Sequence, residues 1–218
     1  HCIDLQPGLA ELADLPRLLP IVEKCDACKI VRVLSDKPEE IGRVLDLGAH
    51  GVIVPLIDTV EQAAAAAAAC RYPPVGTRSC GPTRAMAYDP KYLAHANDAV
   101  MCFVMIETAE GFENVEQIAA LPGIDGLFVG PVDLSFSLCG GVSGLGGAVF
   151  SDALDRVLAA GKQVDKPVGI FGLNPENAVQ QLRRGFTFCS LATDTTLFSN
   201  ALQQAQTVAA QSSSRCRD

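Results

Sequence analysis

Short, almost wholly apolar runs alternate with amphipathic helical patterns along this chain, and that alternation constrains its fold more than any other feature. Runs at 30–33, 51–57, 101–107, 126–130, 167–171 and 186–191 read as strands. They are continuously apolar, the pattern of strands covered on both faces in a parallel sheet. Helical patterns fall between them. One spans 38–47, with Ser35 or Asp36 as cap, Pro38 in the first turn and Gly48 as stop. A capping-box pattern at Asp58-Thr59-Val60-Glu61 opens another, running to Cys70. Further helices are expected over 90–96, 113–120, 152–160 (stopped by Gly161), 175–184 (capped by Asn174, stopped by Gly185) and 195–210. Residues 71–82 and 139–147 read as loops.

These patterns define an α/β class. Six strands follow from residue 30 onward, and Cys2–Asp4 reads as the end of one more. A closed (β/α)8 barrel of the TIM type needs eight strands and about 250 residues. The expectation is therefore such a barrel lacking its first strand and most of its second. An open doubly wound sheet is the alternative, disfavoured because no glycine-rich dinucleotide fingerprint follows any strand.

The 218 residues, 49% hydrophobic and 19% charged, suit one well-filled core. A single domain is expected over 1–211, with 212–218 a disordered tail. A net charge of −8 argues against a nucleic-acid partner, and no apolar run approaches the roughly 20 residues of a membrane span. The nine cysteines are irregularly spaced. Cys25 and Cys28 form a lone pair without the second pair of a zinc site, and the thiols read as reduced. The chain opens at His1 without a signal-peptide pattern. The expectation is a cytoplasmic protein whose natural N-terminus lies upstream.

In parallel α/β folds chemistry sits at the carboxyl ends of strands. That filter leaves Asp4, Arg32, Glu107, Asp133 and Asp194; Asp36 and Asp58 lie just past strand ends but have helix-cap explanations. Glu107 ends an apolar run, where a carboxylate is costly unless paired or metal-bound. Asp133 follows the next strand. Two carboxylates on adjacent strand ends can share a hard divalent cation, leaving positions for substrate and water. Capping or ion pairing would explain each equally well at this level. Arg32 offers a planar fork for a carboxylate, or for a salt bridge with Asp133 or Glu107. No lysine falls at a strand mouth, which disfavours Schiff-base chemistry.

Five segments together resemble the HpcH/HpaI aldolase family. They are Met105-Ile106-Glu107-Thr108; Gly130-Pro131-Val132-Asp133-Leu134-Ser135; the segment from Leu45 to Pro55 (LDLGAHGVIVP); that from Arg71 to Ser79 (RYPPVGTRS); and Gly81-Pro82-Thr83-Arg84. The resemblance extends over about residues 3–196. It implies a (β/α)8 barrel that cleaves or forms 4-hydroxy-2-oxo acids through a pyruvate enolate with Mg2+, Mn2+ or Co2+. It implies Glu107 and Asp133 as metal ligands and Arg32 on the pyruvate moiety. It also implies substrate contact at the Val132 N–H, and Asp46 as the acid that tunes the family's catalytic histidine. Pyruvate or oxaloacetate and an aldehyde are the implied partners. A homo-oligomer, often a hexamer with exchanged C-terminal helices, is the implied assembly.

Two positions depart from the pattern. The family's base histidine is Pro7 in Asp4-Leu5-Gln6-Pro7-Gly8, and Met105 stands where many relatives carry glutamine. His1, His50 and His95 offer no obvious replacement. An aldehyde-lyase is the first reading. An oxaloacetate decarboxylase, which needs no histidine base, and a non-catalytic metal and oxo-acid binding paralogue are the alternatives. A CoA-thioester lyase of the same superfamily stands behind them.

Overall fold

A computed structural model describes residues 1–214, with side chains described through residue 210. The described chain forms two compact units, His1–Gly169 and the segment from Ile170 onward.

The first unit runs β1 (Cys2–Asp4), α1 (Leu15–Glu23), β2 (Ile30–Arg32), α2 (Pro38–Asp46), β3 (Gly51–Val54), α3 (Val60–Cys70), α4 (Thr83–Tyr88), α5 (Tyr92–Ala99) and β4 (Met101–Ile106). It continues through α6 (Ala109–Glu113), α7 (Val115–Ala120), β5 (Gly126–Val129), α8 (Pro131–Cys139), α9 (Ala148–Gln163) and into β6 (Val168–Ile170). The strands are hydrogen-bonded in chain order, and β1 to β5 pair parallel. Leu127 N–H donates to Pro167 O at 3.0 Å where β5 meets the start of β6. Strands β3 and β5 are buried at every position, as their unbroken apolar runs require. Met105, Ile106 and Leu127 are fully buried. Each contributes about 1.5–3 kcal/mol of hydrophobic stabilisation.

Register places the strand ends. Asp4 is the partner of Arg32, and Ile106 is the partner of Val129. Glu107 and Gly130 therefore leave the sheet side by side, and Gly130 N–H still donates to Ile106 O at 3.3 Å.

The second unit holds α10 (Pro175–Arg184), β7 (Phe188–Cys189) and α11 (Asp194–Ser214). Ser190 N–H donates to Ile170 O at 3.2 Å, so β7 runs beside the end of β6. Asn174 caps α10 through its side chain, as expected. Helix α11 reaches Ser214, so residues 212–214 of the expected tail are helical; 215–218 lie outside the described residues.

Several boundaries differ from the sequence expectation. Ser35 and Asp36 do not cap α2; its N-cap is Lys37, and Ser35 Oγ instead accepts from Lys37 N–H at 3.4 Å. The capping box of α3 pairs Thr59 with Gln62 rather than Asp58 with Glu61. Gly161 lies inside α9, where a β-carbon would strike Val168, so it serves helix–strand packing and not termination. Helix α8 was not expected: the strand reading ended at residue 130, and no helix was assigned before the 139–147 loop. Pro131 occupies the first helical turn, a position proline favours because its missing N–H would lack an intrahelical partner anyway. Helices α1 and α4 were not expected; α1 carries Pro20 in its interior, which masks the helical signal.

Candidate functional site

Arg32 and Asp4 end neighbouring strands, and their side chains interlock. Arg32 Nε donates to Asp4 Oδ1 at 2.9 Å and Nη2 to Oδ2 at 2.5 Å, a two-pronged ion pair. Gln6 N–H also donates to Asp4 Oδ1, at 3.0 Å. The sequence offered Arg32 a ligand carboxylate or a salt bridge with Asp133 or Glu107; the β1–β2 register gives it Asp4. Among the described residues its Nη1 reaches only the Met105 sulfur, a weak acceptor 3.8 Å away.

Glu107, 2% exposed, follows the last residue of β4. Leu56 N–H donates to its Oε1 at 2.8 Å. Burial pushes the Glu107 carboxyl above its ordinary value; the Leu56 N–H opposes this, and the negative charge of Asp133 adds to it. Gly130 packs directly beside it. A β-carbon there would stand 2.5 Å from Glu107 Oε2 and 2.9 Å from Met105 Cε.

Asp133 is exposed in the first turn of α8. A carboxylate there is stabilised by the positive end of the helix. The N–H of Val132, in the same turn, is among the amides that an α-helix leaves without an intrahelical acceptor. Asp133 and Arg32 both act on the Glu107 carboxyl, the first raising its pKa and the second lowering it.

The donor set suits a hard cation. A buried carboxylate raised by desolvation and by a second carboxylate is relieved by a divalent ion, and oxygen ligands are what Mg2+ and Mn2+ prefer. Among the described residues, no group of three or more His, Cys, Asp or Glu side chains is arranged to hold a metal. Two carboxylates would leave most coordination positions to substrate and water, the usual arrangement for Mg2+.

The other candidates have partners of their own. Asp46 ends α2, five residues before β3 begins, and so lies toward the amino ends of the strands within its own chain. Its Oδ1 accepts from buried Arg78 Nη2 at 2.7 Å. Arg78 in turn donates to Tyr92 Oη at 2.9 Å and lies against the Tyr72 ring at 4.5 Å. A cleft of about 430 Å3 lined by Arg43, Asp46, Thr83 and Arg84 opens here, away from the carboxylate pair. Asp36 accepts from Gln62 Nε2 at 3.2 Å, and Asp58 accepts from the Thr108 hydroxyl. Asp194 opens α11 in the second unit and accepts from the following N–H at 2.8 Å.

Pro7 is exposed in the bend after β1. His50 directly precedes β3, where its carbonyl accepts from Met101 N–H at 3.0 Å, and His95 on α5 pairs with Asp89 at 2.6 Å. His1 sits at the start of β1. Leu56 and Gly130 were not singled out from sequence. A glycine after a buried strand was a visible signal, whereas a backbone donor on a leucine leaves none.

Parallel strands with carboxylates and an arginine at their carboxyl ends define an α/β protein with an enzyme-like site. The family model for HpcH/HpaI aldolase/citrate lyase matches residues 7–201. The 2-dehydro-3,6-dideoxy-6-sulfogluconate aldolase of Pseudomonas putida is 40% identical over 199 residues, 88% of this chain and 76% of that relative. The 4-hydroxy-2-oxovalerate aldolase of Novosphingobium aromaticivorans is 40% identical over 194 residues, 84% of this chain and 70% of its own. The crystal structure of an HpcH/HpaI aldolase/citrate lyase family protein from Burkholderia cenocepacia J2315 superposes with a TM-score of 0.88 at 33% identity. It covers 95% of this chain and 84% of that one. The chain belongs to the HpcH/HpaI aldolase/citrate lyase family.

Proposed function

We propose that this protein is a metal-dependent aldehyde-lyase that cleaves or forms 4-hydroxy-2-oxo acids through the enolate of pyruvate. The observation that carries the reading is the buried Glu107 carboxylate, packed against Gly130 with Asp133 in the next helical turn. Glu107 and Asp133 would hold Mg2+, Mn2+ or Co2+. The cation would supply Lewis-acid polarisation of the oxo group.

The chain's own groups account for the rest. Arg32 keeps Nη1 for the oxo acid while Asp4 holds the remainder of the guanidinium still. The Val132 N–H at the start of α8 offers a carboxylate an uncommitted donor. Aldol cleavage breaks the C–C bond next to the carbinol carbon, whose hydroxyl loses its proton as the carbonyl forms, and leaves the electron pair on the enolate. Asp46 would serve a neighbouring copy in a homo-oligomer, since within its own chain it lies toward the other ends of the strands. A cytoplasmic location accords with this reading; among the described residues, no helix is long and apolar enough to cross a membrane. The names of the relatives favour a 2-oxo acid bearing a hydroxyl at C4.

A second reading rests on Pro7. Proline carries no titratable group, and none of the three histidines lies at a strand carboxyl end. Decarboxylation of oxaloacetate needs no hydroxyl deprotonation: the C–C electron pair passes to the enolate as CO2 leaves, a charge that Arg32 would face and that a bound cation would help to stabilise. The deciding experiment measures Mn2+-dependent decarboxylation of oxaloacetate beside retro-aldol cleavage, for the wild type and for Glu107→Gln. Both activities, lost together in the variant, support the lyase. Decarboxylation alone supports the second reading. Neither activity, with Mn2+ still bound, would leave only a binding protein.

A further inference from the structure

Only one protein donor among the described residues reaches Glu107: the Leu56 N–H, 2.8 Å from Oε1. Leu56 holds φ +54°, the left-handed region that a β-carbon makes costly. A leucine stays there only if its surroundings over-determine it. The next two residues show how. The Ile57 carbonyl is covered so closely by Gly111 that a β-carbon on that glycine would collide with it. Asp58 is tied at three points. Its Oδ1 accepts from Thr108 Oγ1, its carbonyl accepts from Asn114 Nδ2 at 2.8 Å, and its N–H donates to Gln62 Oε1 at 3.0 Å. Thr108 Oγ1 in turn accepts from Gly111 N–H at 3.0 Å and so caps α6.

The contacts close a ring across two adjacent strand ends. Glu107 binds the first residue of the strap, and Thr108, its chain neighbour, binds the third. We propose that Leu56–Asp58 is a positioning strap for Glu107. Thr108 and Asn114 hold Asp58 so that the Leu56 N–H fixes Oε1 and leaves Oε2 as the ligating oxygen. This rests on the reading of Glu107 as a metal ligand. Leu56, Asp58, Thr108 and Asn114 are positioning residues and need touch neither cation nor substrate. Gly130 guards the other oxygen, leaving Oε2 room that any side chain there would fill. The strap thus sets the carboxylate rotamer from one side and the glycine from the other.

The test uses the full chain and Mn2+ alone. Thr108→Val keeps the shape but deletes both hydroxyl bonds, while Thr108→Ser keeps them. Partners behind a metal ligand typically matter about tenfold or more in affinity. Calorimetry is expected to show Mn2+ bound about tenfold more weakly by Thr108→Val and within about twofold of wild type by Thr108→Ser. Without metal, amide hydrogen exchange at Leu56 is expected to quicken in Thr108→Val and not in Thr108→Ser. Asn114→Ala is the second variant, should Thr108→Val fail to fold; it removes one tie and should weaken Mn2+ by about threefold. If Glu107→Gln abolishes Mn2+ binding while Thr108→Val and Asn114→Ala bind as wild type, the strap is wrong and the site reading stands. Wild-type binding by Glu107→Gln would overturn both.

Discussion

Asp4 and Arg32 lie opposite one another across the β1–β2 register, and the guanidinium grips the carboxylate through two nitrogens at 2.9 and 2.5 Å. The pair spends the Nε and Nη2 side of the arginine on the protein and leaves Nη1 toward the Met105 sulfur. An arginine held this way presents one fixed donor edge, with its rotamer already chosen.

Arg32→Lys follows from that geometry. A lysine keeps the charge but can neither fork onto Asp4 nor hold a second edge steady. Losing a charged, oriented hydrogen bond is worth about 1.5–3 kcal/mol, so oxaloacetate decarboxylation should fall by about tenfold to hundredfold. Steady-state assays check it, and unchanged turnover and KM would remove Arg32 from the site.

Gly130→Ala should damage the carboxylate pair without unfolding the chain. The added methyl would stand 2.5 Å from Glu107 Oε2, which must swing away. Mn2+ affinity is expected to drop by about tenfold or more, with secondary structure retained by circular dichroism. A variant binding Mn2+ as tightly as wild type would show that Oε2 takes no part.

Pro7→His distinguishes the two lyase readings. General acid–base help is typically worth about 10²–10⁴ in rate. Retro-aldol cleavage should rise by about 10² or more, while decarboxylation changes little. Equal gains in both reactions, or none in either, would show that position 7 is not the base position.

The Arg156–Glu116 pair gives a pH signature outside the site. Arg156 on α9 donates to Glu116 on α7 at 2.8 and 3.0 Å, and this hydrogen bonding lowers the Glu116 pKa below its ordinary 4.5. A depressed carboxyl adds stability above its unfolded pKa, and that stability is lost as pH falls through the folded value. Both groups are solvent-exposed enough to be screened, so the contribution is a few tenths of a kcal/mol. Thermal melts should show Arg156→Ala slightly less stable than wild type at pH 7, with the gap closing as pH falls below the ordinary 4.5 and through the lowered Glu116 value. A gap that is constant with pH would point to lost packing of Arg156 on the Phe112 ring instead.

Sequence alone determined the alternation of strand and helix, the parallel class, and the placing of Arg32 and Glu107 at strand ends, with Asp133 shortly after the next strand. Those features are local: apolar runs, proline and glycine punctuation, and a polar residue closing an apolar run are all written within a few neighbours. The family was legible for the same reason, since each of its motifs is a short contiguous segment. Tertiary structure decided the partnerships. Arg32 paired with Asp4, 28 residues earlier, because parallel register set those two side by side. Glu107 took its donor from the Leu56 backbone, 51 residues earlier. An amide donor is present on every residue but proline, so no side-chain pattern marks the one that matters. Asp46 went to Arg78, across 32 residues, through a buried contact between α2 and the loop after α3. Helix α8 follows β5 almost at once, from Pro131 to Cys139, a helix that the sequence reading did not contain. Ion pairs and backbone bonds over such separations depend on register and chain path, which emerge only when the strands assemble.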